Sequence, residues 1–262
     1  MHPALEMLTP NRTVSKGAVR TLVFVQVSAA LIIWALSSFA LLPKPVEILH
    51  ALQVLWSTEG LGQELLTSFF LNLETIAIAT LVSLVLAYAY VLPFFRPIIA
   101  FISKLRFLSL AGLTFVFTLM TSSGHQLKLS LLVFSVSVFF VTGMADVITQ
   151  IPKEKYDLAR TLRMGDWEIV WEVIILGKID AAFDVLRQNA AIGWMMLTMV
   201  EGMVRSEGGI GALLLNQNKH FHLDAVFAIQ ITILILGLLQ DYLVGLMKSI
   251  CCPYADLVLE HH

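Results

Sequence analysis

The sequence is divided into apolar runs long enough to cross a lipid bilayer, and a chain built that way has few folds open to it. Crossing the hydrocarbon layer as a helix takes roughly 20 apolar residues. Inside that layer every backbone N–H and C=O must be paired within the protein, which leaves helices or closed barrels. Six runs of helical length, bounded by charge, Pro or Gly, lie at 21–42, 65–92, 98–120, 127–148, 181–204 and 224–247. The pattern predicts an all-α, polytopic membrane protein with about six transmembrane helices. Composition agrees: 14% of the residues are charged and 58% are hydrophobic, whereas a soluble domain carries roughly 25% charged residues. The net charge of -2 shows no basic excess of the kind a nucleic-acid partner requires.

The first run ends at Pro43-Lys44-Pro45, where two prolines stop any helix. Residues 46–56 then place apolar side chains at helical spacing beside polar ones, which predicts a short amphipathic helix on the membrane surface. The second run contains Asn72 and Glu74, and a carboxylate at that depth is costly unless it faces protein or water. The third run is the weakest, because Lys104 and Arg106 fall inside its first third. A polar turn, Thr121-Ser122-Ser123-Gly124-His125, precedes the fourth. Residues 149–180 form the longest polar insertion, and a Gly-rich, His-containing connection at 205–223 joins the fifth run to the sixth.

Lys and Arg concentrate in cytoplasmic loops. With the amino terminus inside, Arg12, Lys16, Arg20, Arg96, Lys104, Arg106, Lys153, Lys155, Arg160, Arg163, Lys178, Arg187 and Lys248 gather on the cytoplasmic side, leaving Lys44, Lys128, Arg205 and Lys219 outside. Both termini are then cytoplasmic. The expected organisation is a cytoplasmic segment 1–20, one transmembrane domain 21–250 with the insertion 149–180 between the fourth and fifth spans, and a tail 251–262. The tail ends in Val258-Leu259-Glu260-His261-His262, which reads as the start of a purification tag. Adjacent Cys251 and Cys252 are poorly placed to bridge each other and read as reduced thiols. A lipidation or metal role is the alternative.

The insertion has its own helical logic. Ile151-Pro152 starts a helix whose dipole is complemented by Glu154 near one end and by Arg160 and Arg163 near the other. Gly165 breaks it, and Trp167, Ile169, Val170, Val173 and Ile174 supply an apolar stripe for a second short helix. Either a partner grips this pair or it is a solvated hairpin.

The run from Tyr156 to Trp167, followed by Val173-Ile174-Ile175-Leu176, resembles the EAA loop of permease subunits of bacterial ABC importers, closest to the nitrate, sulfonate and taurine branch. The resemblance implies a coupling helix that docks on a separate cytoplasmic ATPase. Asp157 takes the place of the family's Glu, and Leu158 and Ala159 that of its two alanines. Arg163 stands where Gly is usual, Gly165 follows two residues later, and Gly177 lies near where a Pro is common. Asp157, Leu158, Ala159, Arg160, Arg163 and Gly165 are therefore the expected coupling residues. The likeness continues through Met199-Val200-Glu201-Gly202, Gly208-Gly209-Ile210-Gly211, Asp224, Gly237, Gln240-Asp241 and Cys252-Pro253-Tyr254. It implies a bacterial inner-membrane permease that pairs with a second permease copy and receives a small solute, such as a sulfonate, taurine or nitrate, from an extracytoplasmic binding protein. ATP and Mg would be held by the ATPase, with no cofactor in this chain.

Independently of family, three glycines in four residues at 208–211 permit positive-φ backbone and close approach, as a re-entrant turn requires. Glu74, Glu201, Gly208, Gly209 and Gly211 are the candidate pathway or gate residues. His220 and His222 do not share a helix face and, with His125, make a poor metal set. Gly177-Lys178 is followed by Ile179, so no GxxxxGK[ST] phosphate loop is present, nor is any hydrolase or zinc-protease motif. The sequence reads as a transport subunit and not an enzyme. The alternatives are an ATP-independent secondary transporter or channel, or a membrane scaffold anchoring a cytoplasmic partner.

Overall fold

The computed structural model describes residues 16–36 and 42–253. Arg12, Tyr254 and the tag-like ending lie outside the described residues. Helices are α1 (Lys16–Leu36), α2 (Pro45–Ser57), α3 (Leu61–Ala89), α4 (Arg96–Lys104), α5 (Leu110–Met120), α6 (Gly124–Thr149), α7 (Lys153–Thr161), α8 (Asp166–Ile169), α9 (Ile179–Met203), α10 (Ile210–Lys219) and α11 (Leu223–Cys251). Among the described residues there is no strand.

Among the described residues four helices are long and apolar enough to cross a membrane: α1, α3, α6 and α11. The third run departs from expectation. It is not one helix but two, Arg96–Phe107 and Leu110–Met120, bent by 111°. Leu108 and Ser109 adopt extended backbone between them. If the bent pair counts as one span the total is five. The fifth run does form a helix, and the 25 residues of α9 extend about 37 Å at the usual α-helical rise. It is nevertheless absent from the set apolar enough to stand alone in lipid, because Asp184, Arg187, Gln188, Asn189 and Glu201 fall within it.

The packing explains how such a helix persists. α9 is surrounded by α3, α6, α10 and α11. α3 turns a stripe of small and polar residues inward: Ser68, Asn72, Thr75, Ala79, Ser83 and Ala87 are all buried. Its outward face carries Phe70, Leu81 and Val85. Water drives no association between helices in lipid, so close approach of small side chains and interhelical hydrogen bonds take over. α6 is the most enclosed long helix, whereas none of the spanning window of α1 is buried.

Two apolar clusters mark the two ends of the bundle. Leu61, Leu131, Leu197, Ile210 and Ile229 form one, against which α2 lays Ile48, Ala51 and Leu55, the apolar side of the expected amphipathic helix. Ala87, Phe140, Met144, Ile148, Ile151, Ile174 and Val185 form the other, where the insertion joins the bundle.

Candidate functional site

At the end of the bundle near α10, a glycine turn is fastened by charge. Gly208 (φ 67°, ψ -147°) and Gly209 (φ 103°, ψ 161°) occupy backbone regions essentially reserved for glycine. The turn exposes successive N–H groups, and each finds an acceptor on a distant helix. The Gly209 N–H donates to the Glu64 carboxylate. That of Ile210 donates to Ser68 Oγ at 2.8 Å, and that of Gly211 to Glu201 Oε2 at 2.8 Å. Ser68 Oγ in turn donates to Glu201 Oε1 at 2.7 Å, so both oxygens of a carboxylate with 0% exposure are used. Lys128 Nζ donates to the Gly208 carbonyl at 2.7 Å. Gly211 is required for space, because a Cβ there would run into the backbone carbonyl of Thr198.

This latch joins α3, α6, α9 and α10, and it brings together Glu201, Gly208, Gly209 and Gly211 of the expected gate set. Glu74 lies apart. Its half-exposed carboxylate stands 3.4 Å from the half-exposed His125 ring. Sequence reasoning missed Glu64, Ser68 and Lys128. For Ser68 a signal existed in the four-residue spacing of small polar residues along α3.

Deeper in the bundle Gln240 Oε1 accepts from both Asn72 Nδ2 at 3.0 Å and Trp194 Nε1 at 2.7 Å. These bonds tie α3, α9 and α11 together. Beyond them Arg187 grips both oxygens of Asp241, and Lys248 Nζ donates to Asp184 Oδ1 at 2.6 Å. Between α9, α10 and α11 an open groove of about 620 Å³ includes Thr198, Met199, Asn218 and Gln230. A second of about 510 Å³ shares Thr198 and Gln230 and ends at Asp241.

The insertion is a helical hairpin outside the long helices. α7 buries Ala159, at 3% exposure, and presents Leu158 and Leu162, both more than 60% exposed. Asp157 and Arg160 form a 3.8 Å surface pair, of a kind that contributes little. The expected break at Gly165 is misplaced by two residues. The chain turns at Arg163, whose φ is 59°, with Met164 N donating to the Ala159 carbonyl and Arg163 N to that of Arg160. These are the two hydrogen bonds of a Schellman motif, whose left-handed residue is usually glycine. Gly165 instead precedes α8 with ordinary φ, and its N–H donates to Glu168 Oε2 at 2.8 Å. Trp167 and Trp171 are exposed. The helix continues through a π segment, Val170–Ile175, and a 3₁₀ turn, Leu176–Lys178, and Lys178 (φ -132°, ψ 18°) leaves helical backbone just before α9. A side chain at Gly177 would press the Glu172 carbonyl at 3.0 Å. Tyr156 is partly buried at this end, and burial pushes its phenol above the ordinary range against the opposing pull of Arg96.

His220 and His222 stack at 6.0 Å, and among the described residues no group of three or more His, Cys, Asp or Glu is arranged to hold a metal. Cys251 is exposed and Cys252 buried, both as free thiols.

The fold and its polar seams define a protein that is all-helical over the described residues, four to five of those helices being long and apolar enough to cross a membrane. A scan against protein-family models finds no match, and a search of curated proteins finds none either.

Proposed function

We propose that the chain is the membrane-spanning permease subunit of an ATP-driven, binding-protein-dependent importer, the class its insertion resembles. In this reading α1, α3, the bent pair α4–α5, α6, α9 and α11 are six spans of a bacterial inner-membrane protein with both termini cytoplasmic. The hairpin 149–180 is the coupling element. Two permease copies flank the pathway, cytoplasmic ATPase subunits bind ATP and Mg, and an extracytoplasmic binding protein delivers a small solute. The observation that carries the reading is the exposed apolar surface of the hairpin: Leu158, Leu162, Trp167 and Trp171 are uncovered on a segment outside the long helices. Exposed apolar surface of that sort marks a protein contact.

The left-handed Arg163 also supports it, because the turn falls where the resembled family carries its glycine. ATP-driven motion of the ATPases would act on the hairpin as a lever and switch the pathway between two arrangements. The test is to replace Leu158 or Leu162 with Glu, since both are exposed and leave the buried Ala159 undisturbed. Copurification of the ATPase and ATP-dependent uptake should both fall. Undiminished assembly and uptake would refute the coupling role. Reconstitution without the ATPase separates the rivals, because gradient-driven uptake by the chain alone would establish a secondary transporter, and absence of uptake with a retained partner would establish a scaffold.

A further inference from the structure

We infer that the open face of α9 is the wall of the solute pathway, and that the solute it passes is uncharged, with an apolar body and one or two hydrogen-bonding groups. The inference rests on the permease reading and narrows it.

The two grooves share Thr198 and Gln230, so they form one continuous depression from Asn218 to Asp241. Its polar side chains argue against a lipid-facing surface. Gln230 and Asn218 are exposed, and along α9 the uncovered residues Gln188, Ala191, Met195 and Met199 follow one helical face. Polar groups in the hydrocarbon layer face protein or water. The volumes, about 620 and 510 Å³, fall in the range of small-molecule sites, about 300–1,000 Å³.

The charge of the lining decides the solute class. Among the described residues Asp241 is the one ionisable side chain lining either groove, and Arg187 engages both of its oxygens. The N–H groups of the neighbouring glycine turn are already taken by Glu64, Ser68 and Glu201. An anion such as a sulfonate entering here loses hydration and meets only the neutral amides of Gln230 and Asn218, with no unpaired cation in the lining to balance its charge. Methionine thioethers and the amides of Gln230 and Asn218 instead suit a polarisable apolar body with one or two hydrogen-bonding groups.

The test uses the full chain in permeabilised membranes, with Cys251→Ser as background and the fully buried Cys252 retained. Single cysteines are placed at Thr198, Met195 and Gln230. Each is treated with three methanethiosulfonates: neutral methyl, anionic sulfonatoethyl and cationic trimethylammonioethyl. Rates are divided by those at the exposed control Lys219→Cys. At Thr198→Cys and Gln230→Cys the neutral reagent is expected to react about tenfold faster than either charged one, as desolvation of an uncompensated charge demands. It should also outpace its own rate at Val85→Cys on the outward face of α3.

A charged reagent matching the neutral one at these positions overturns the solute class and leaves the pathway standing. Neutral labelling no faster than at Val85→Cys overturns the pathway. Asp241→Asn, which leaves Arg187 with only the Lys248-bound Asp184 as a nearby carboxylate, should raise the anionic rate at Met195→Cys severalfold, and an unchanged rate overturns the charge argument. None of these readings depends on the ATPase, so a failure of the coupling proposal is recognised separately.

Discussion

Removal of the Glu201 carboxylate is the sharpest perturbation of the latch. In Glu201→Ala the hydroxyl of Ser68 and the N–H of Gly211 both lose their acceptor in a site with 0% exposure. A hydrogen bond to a charged group contributes about 1.5–3 kcal/mol, and orphaned buried donors add a desolvation penalty. Lys128, at 2% exposure, also loses a nearby countercharge. The sum is about 3–5 kcal/mol, felt locally. Hydrogen exchange on the detergent-solubilised protein reads it directly, and the amides of Gly209, Ile210 and Gly211 should lose protection by roughly a hundredfold to a few thousandfold. Glu201→Gln should cost less, because one amide oxygen still accepts while the NH₂ faces a donor. Ser68→Ala combined with Glu201→Ala should fall short of additivity by about 1–3 kcal/mol, since the two share one network. Additive effects, or unchanged exchange at these amides, would refute the latch.

Gly211→Ala should abolish recovery of folded protein or lower its melting temperature sharply, because the added methyl meets the Thr198 backbone and not a movable side chain. The contrasting Gly112→Ala, with open space around its Cβ, should be neutral or stabilise by about 0.5–1 kcal/mol. Arg163→Gly should raise the melting temperature, with a gain of about 1 kcal/mol from relief of left-handed strain, and Arg163→Val should lower it. Asn72→Leu should weaken the α3–α11 contact, since the Gln240 oxygen it serves would keep only the Trp194 donor. Thermal unfolding of the variant should shift down by an amount reflecting about 0.6–2 kcal/mol, the range for hydrogen bonds between membrane helices.

Much of the fold was legible because helix length and apolarity are local properties. The bounds of α2, α3, α6 and α11 follow from prolines, charges and runs of known length. The bend between α4 and α5 was foreshadowed by Lys104 and Arg106, though no proline or glycine marks the two extended residues that make it. α9 was found as a run, but its polar face acquires meaning only against its neighbours. The site was legible in halves. Gly208 and Gly209 announced positive φ, and a carboxylate at 201 announced a protein-facing environment. Its partners were not, because Ser68 precedes Glu201 by 133 positions and Lys128 precedes Gly208 by 80. Arg163 shows the opposite case, since a residue unsuited to left-handed backbone hid the turn that Gly165 seemed to advertise.

The π segment between hairpin and α9 sets an angular phase. Successive residues of an α-helix are turned by about 100° about the axis, and the wider π turn carries the chain through Val170–Ile175 with a different phase. Such a turn takes up one residue more than an α turn, because its hydrogen bonds span one residue further along the chain. Deleting one residue here would let the segment close as an ordinary α turn. Residues on either side would keep nearly the facing they have now, whereas a deletion in a regular α turn swings everything beyond it by about 100°.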